Sequence, residues 1–272
     1  MRAWRRAPYL LYFTPSGLVL DLYIQANWTS CQEYRGESFL ALAVKGIKET
    51  WEAPIELVPE VEEAFLNFIQ RRQPRELNSA VSYLDREIQQ AREESRQPQI
   101  RMRLRISCAR PATFLGLKTC ARFLMHKRRA VRIYFANIKK IPSHVGSPLW
   151  RRFWGFFRYF YPVSLGFNWS LTSPGYVVLN TARPWRLDRV AAHEFGHIFG
   201  LGDAYAAIYR FFSEYEGSSD YLMNSNGNLS TEEFAMFLRA QASGRAQFFP
   251  IKFSWRTFWR GLKAEFCYYF KS

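Results

Sequence analysis

His193-Glu194-Phe195-Gly196-His197-Ile198-Phe199-Gly200-Leu201-Gly202-Asp203 is the stretch on which the reading of this chain turns. Residues four apart on an α-helix lie one above the other on the same face, so His193 and His197 can grip one ion. Neutral imidazole nitrogens bind zinc at about 2.0–2.1 Å, and a catalytic zinc keeps three protein ligands and one open position. Glu194, next to the first histidine, is placed to serve as the general base of a hydrolase. Gly200 is where such a helix can stop through a left-handed residue, which glycine adopts without steric cost. The chain then turns back, and Asp203, three residues on, offers a carboxylate oxygen as third ligand. Either histidine alone would read as an ordinary residue of a partly buried helix. The chain has only four, however, and two of them fall at this spacing among glutamate, glycine and aspartate.

The combination resembles the metzincin clan of zinc metallopeptidases, whose extended signature is a helical histidine pair, a glycine turn and a third ligand three residues beyond it. Most of that clan has a third histidine where Asp203 stands; the aspartate is similar to the snapalysin-like variant. The clan's other mark is a methionine turn. Ser218-Ser219-Asp220-Tyr221-Leu222-Met223-Asn224 follows the signature by about twenty residues, so Met223 resembles the methionine that floors the metal site. Glu216, nineteen residues after His197, is a rival third ligand similar to the downstream glutamate of thermolysin-like gluzincins. That alternative leaves Gly200 and the methionine turn unexplained. Tyr221 could donate a hydrogen bond to an oxyanion, but clan members that use a tyrosine place it just after the methionine, where this chain has Ser225.

What the resemblance implies is an α+β fold: a metzincin-like zincin catalytic domain with a twisted mixed β-sheet, an active-site helix and a smaller C-terminal subdomain. The implied function is peptide-bond hydrolysis with Zn2+ as cofactor, held by His193, His197 and Asp203, with Glu194 as catalytic base and Gly200 and Met223 as structural supports. Two imidazoles favour a borderline metal over magnesium or calcium. A different class of function, a catalytically silent metal-stabilised module that contacts a membrane or a protein partner, has no need of Glu194.

Hydrophobic periodicity supplies the remaining elements. Leu18 to Gln25 reads as a strand, and Leu40, Val44, Ile47 and Trp51 as one face of a helix. Ile100, Met102, Leu104 and Ile106 alternate with Arg101, Arg103 and Arg105, giving a strand with one buried and one basic face. Ala130 to Ile138 and Tyr176 to Asn180 are further strands. The active-site helix is expected over Leu187 to Phe199 with Pro184 ahead of it, and a closing helix over Thr231 to Gln241 behind a capping box of Ser230 and Glu233. The domain is expected to span 17–247, flanked by basic aromatic segments at 1–16 and 248–272. The charged, helix-prone stretch from Pro59 to Pro98 reads as one or two inserted helices elaborating the surface. In metzincins an edge strand pairs with extended substrate; its expected equivalent here is Ser164 to Leu171.

The chain carries a formal net charge of +15, and 18% of it is aromatic. The surplus concentrates where basic residues interleave with rings: Met1 to Phe13, Leu149 to Tyr161 and Phe248 to Lys271. In the last, Trp255, Trp259, Leu262, Phe266 and Tyr269 fall at helical spacing among Arg256, Arg260 and Lys263. Such a helix can pack its rings on the domain or lie on an anionic membrane surface. No nucleic-acid motif accompanies the charge, which argues against that partner; peptide or protein substrate is expected. No stretch approaches the roughly twenty apolar residues of a spanning helix, and Tyr9 to Phe13 is too short for a secretory core. The default compartment is the cytoplasm. Cys31, Cys108, Cys120 and Cys267 form no disulfide-scaffold signature.

Overall fold

The computed structural model describes residues 7–109, 130–137, 143–146, 169–208 and 211–250, with the single positions 255, 259 and 263. The expected strand at Leu18 is the centre of the molecule. Strand β2 (Gly17–Ala26) turns back on β1 (Tyr9–Thr14) as an antiparallel hairpin, with Tyr9 opposite Leu22 and Thr14 opposite Gly17. On its other edge β2 pairs in parallel with β7 (Met102–Ala109), the Arg-lined strand. Its last residues pair in parallel with β8 (Val131–Ala136), which continues along the edge where β1 ends. Strand β10 (Tyr176–Asn180) lies parallel to β8, and β9 (His144–Gly146) closes the sheet antiparallel to β10. The result is a six-stranded mixed sheet ordered β7-β2-β8-β10-β9, with β1 sharing an edge of β2.

Two-residue strands β3 (Glu33–Tyr34) and β4 (Glu37–Ser38) lead into helix α1 (Phe39–Trp51), capped by the Ser38 side chain accepting from the Ala41 amide. Its buried face is Phe39, Ala43, Gly46, Ile47 and Trp51, so the stripe is turned by one residue from the expected one, and Leu40 and Val44 sit at its margin. Helix α4 (Leu187–Ile198), the expected active-site helix, packs against α1. Gly46 permits the approach: a Cβ there would overlap the Asp188 carbonyl. Trp51, wholly buried, donates its indole N–H to the Ala192 carbonyl at 3.3 Å. Truncating so large a buried ring costs about 3–5 kcal/mol.

The stretch 59–98 is helical, as expected, but it is not a surface elaboration. Strand β5 (Ile55–Glu56) pairs with β6 (Gln99–Ile100), bracketing α2 (Pro59–Arg72) and α3 (Leu77–Glu93). Val61, Ala64, Phe65, Phe68 and Ile69 of α2 are core residues packed toward the closing helix α6 (Thr231–Ser243). These positions follow the i, i+3, i+4, i+7 spacing of a buried helix face. The start expected at residue 17 falls in the β1–β2 turn, with Tyr9, Leu11 and Phe13 buried in the same core. At the other end Phe249 is buried, so the core runs past 247.

The remaining C-terminal elements are a hairpin of β11 (Tyr205–Ile208) with β12 (Phe211–Glu214), the short helix α5 (Leu222–Ser225) and α6. Of the expected substrate edge, residues 164–168 lie outside the described residues and Trp169 to Leu171 are not a strand; among the described residues the strand bordering β10 on the side away from β8 is β9. The aromatic stretch from Leu149 to Tyr161 also lies outside the described residues. Among the described residues no helix is long and apolar enough to cross a membrane. Cys31 and Cys108 are free and exposed.

Candidate metal centre

Helix α4 ends where its sequence requires. Gly200 has φ +100°, its N–H donates to the His197 carbonyl at 3.1 Å, and the Leu201 N–H donates to Gly196 at 2.9 Å. This double closure is a Schellman end, and it reverses the chain toward Asp203. The helix's last carbonyls are satisfied from outside: Trp169 donates its indole N–H to Ile198 at 2.9 Å, Gln241 its amide to Phe199 at 2.8 Å, and the Tyr9 hydroxyl reaches Ile198 at 3.3 Å.

The turn brings the three expected ligands together. Nε2 of His193 and Nε2 of His197 each lie 3.3 Å from Oδ1 of Asp203, and the candidate ligand atoms are all within 4.8 Å of one another. On the far side of each ring, Nδ1 meets a backbone carbonyl: Leu222 at 2.7 Å from His193, Leu201 at 2.9 Å from His197. Carbonyls only accept, so each Nδ1 carries a proton, and in the neutral ring the Nε2 lone pair is the one directed inward. Asp203 Oδ1 is buried, and no donor among the described residues meets it with hydrogen-bond geometry. An oxygen with unmet acceptor capacity between two inward imidazole nitrogens fits a small borderline cation such as zinc. Among the described residues this is the single group of three or more such side chains that could hold a metal ion. The rival Glu216 is exposed and outside the group.

Glu194 is buried beside this group, and its Oε2 also lacks a hydrogen-bond partner among the described residues. Burial pushes its carboxyl above the usual range; the imidazoles of His197 and His193 oppose that and Asp203 adds to it. His197 is pushed the other way. Burial disfavours its charge, but the Asp203 and Glu194 carboxylates outweigh that and hold it up at about 9. Burial resists ionisation of Asp203 too, and the two histidines nevertheless keep its carboxyl well below the ordinary range.

Met223 packs against the helix: a Cβ on Gly196, a helix position between the two histidines, would overlap its sulfur. The Met223 carbonyl accepts from the Ala204 amide at 2.9 Å, tying this turn to the ligand loop. The Tyr221 hydroxyl donates to Glu232 at 3.0 Å, engaged away from the group. Two residues with local consequences were not anticipated. Tyr205 lies near the group, and burial together with the Asp203 and Glu194 charges raises the pKa of its hydroxyl. Glu233, expected only as a helix cap, reaches the backbone of Leu222 and Met223. Nothing local to Tyr205 announces its position, whereas the buried end of a capping box does mark Glu233 as a carboxylate with unusual surroundings.

Comparison of the chain with protein-family models, with curated proteins and with solved structures finds no match. The functional reading therefore stands on the geometry of the group itself.

Proposed function

We propose that this chain is a zinc-dependent peptidase of metzincin type, in which His193, His197 and Asp203 hold the ion. A zinc ion bound there supplies Lewis acidity, lowering the pKa of water and polarising a carbonyl. The observation that carries the catalytic part is the Glu194 carboxylate, buried next to the ligand group with Oε2 unpartnered among the described residues. A structural metal needs no such group, and a buried carboxylate without a donor destabilises the fold. Its raised pKa brings it nearer the working pH, which suits a general base. In this reading Oε2 removes a proton from the attacking water as oxygen bonds to the scissile carbonyl carbon. The same oxygen then gives that proton to the amine as the C–N bond breaks. Extended substrate adds to the sheet along β9, whose other edge is paired with β10.

The test is cleavage of a diverse peptide library by zinc-loaded protein, read by mass spectrometry beside Glu194→Gln at equal metal content. Cleavage reduced by about 10²–10⁴-fold in the variant, the range of general-base catalysis, supports the reading. Equal cleavage by both proteins would remove Glu194 from the chemistry, and no cleavage by the wild type with one zinc bound favours the metal-stabilised binding module.

A specific observation also favours the membrane contact. Trp255 and Trp259, four residues apart, are 65% and 59% exposed, and Lys263, four residues further on, is exposed as well. In sequence they sit among Lys252, Arg256, Arg260 and Lys271 against Glu265 alone. Rings beside cations suit the headgroup boundary of an anionic bilayer. Co-sedimentation with phosphatidylserine vesicles, absent with phosphatidylcholine vesicles and lost in a Trp255→Ala, Trp259→Ala double variant, is the expected result. Binding that ignores lipid charge or survives the double variant refutes it.

A further inference from the structure

The helix cap at Ser230 would be complete with Glu233 bonded to Ser230 alone, where the carboxylate accepts from the backbone N–H at 2.8 Å and from the hydroxyl at 2.9 Å. Glu233 does more. It is wholly buried, and its carboxylate also accepts from the Met223 N–H at 2.7 Å and the Leu222 N–H at 3.3 Å. The Met223 N–H belongs to the same peptide group as the Leu222 carbonyl, and that carbonyl receives Nδ1–H of His193 at 2.7 Å. Carboxylate, peptide group and imidazole thus stand in one line of hydrogen bonds ending on a candidate ligand nitrogen. His197 is backed by the same architecture without a charge. Its Nδ1–H meets the Leu201 carbonyl, and the N–H of that peptide group, on Gly202, donates to the neutral Gln247 carbonyl at 2.8 Å.

Peptide resonance couples the two ends of one amide, so an anion on the N–H adds electron density to the carbonyl oxygen. We propose that Glu233 is a positioning residue of the metal centre, acting on His193 through the Leu222–Met223 peptide group to fix its tautomer and strengthen it as a donor. The effect is that of a carboxylate bonded directly to a ligand histidine, transmitted through one intervening amide. The proposal rests on His193 being a metal ligand, yet part of its test requires no metal.

Glu233→Gln removes the charge while preserving size, and glutamine still completes a capping box. By chelator competition its zinc affinity falls about 10–100-fold, the loss typical of outer partners of ligand histidines, while Ser230→Ala, which weakens the cap and keeps the charge, leaves affinity near wild type. By proton NMR, with or without zinc, the His193 Nδ1–H of the wild type resonates downfield of that of His197, and in Glu233→Gln it alone moves upfield. A failure of the wild type to take up zinc, with this NMR order intact, would sink the metal reading and leave the relay standing. Unchanged affinity in Glu233→Gln, an equal loss in Ser230→Ala, or the reverse NMR order in the wild type overturns the relay; the last holds even if the glutamine variant does not fold.

Discussion

Replacing Gly200 with alanine should damage this protein in two separable ways, and a second glycine provides the measure of each. Gly200 has φ +100°, and a Cβ there would lie 2.8 Å from Cζ2 of Trp169, 3.0 Å from Cη2 of the same ring and 3.0 Å from Cβ of Ala240. Gly244, which ends α6, has φ +72°, but a Cβ there would meet only Nη2 of Arg72 at 3.5 Å and Cδ1 of Leu171 at 3.7 Å, ordinary contact distances. Both substitutions incur the left-handed backbone penalty of about 1–2 kcal/mol. Only Gly200→Ala must also displace a buried indole held by its bond to Ile198. Overpacking of this kind adds about 1–3 kcal/mol. The expected losses are therefore about 2–5 kcal/mol for Gly200→Ala and about 1–2 kcal/mol for Gly244→Ala, read from urea unfolding of the apo proteins. Zinc affinity should fall in the first variant alone, since Leu201, whose carbonyl orients His197, follows the altered turn. Equal destabilisation by the two substitutions would refute the argument that Trp169 and Ala240 close the end of α4.

Three further outcomes follow from the same contacts. Zinc uptake requires a neutral His197, and with that imidazole held up at about 9 the ion must displace a proton at lower pH; zinc affinity should rise about tenfold per pH unit from 6.5 to 9, whereas a curve already flat at 7 would contradict it. The sign for apo stability is opposite, because a raised histidine pKa contributes fully below about 6.5 and is lost as pH passes through about 9. Gly46→Ala should cost about 1–3 kcal/mol in thermal or chemical unfolding, despite a helix preference of about 1 kcal/mol for alanine, because the Asp188 backbone it meets cannot rotate aside; a stabilised variant would show that α1 and α4 are less tightly apposed. Tyr205→Phe, which removes a hydroxyl acted on by the Asp203 and Glu194 charges, should weaken zinc binding about tenfold or more in chelator competition, and unchanged affinity would exclude that hydroxyl as a support.

The parts of the site legible in the sequence are those set by local rules. Pro184 and Gly200 bracket α4 because a helix start and a left-handed stop are properties of single residues, and the spacing of His193, His197 and Asp203 sufficed to place them together. Strand β9 was not legible. His144-Val145-Gly146 carries no strand pattern, and it is a strand because β10 offers it an edge. The face of α2 was written in Val61, Ala64, Phe65, Phe68 and Ile69, but the charges between them drew attention to the surface they occupy. Glu233 was visible as a cap and opaque as a support, since Leu222 and Met223 reach it only once the chain has folded back.

The most direct test of the account is the metal content of the purified chain after exposure to zinc and removal of excess, measured by inductively coupled plasma mass spectrometry beside His197→Ala and Asp203→Ala. One zinc per chain in the wild type, lost from both variants while each remains folded by circular dichroism, is the predicted result. A folded wild-type chain that retains no zinc, or variants that retain as much as it does, would contradict the claim that His193, His197 and Asp203 form a metal centre.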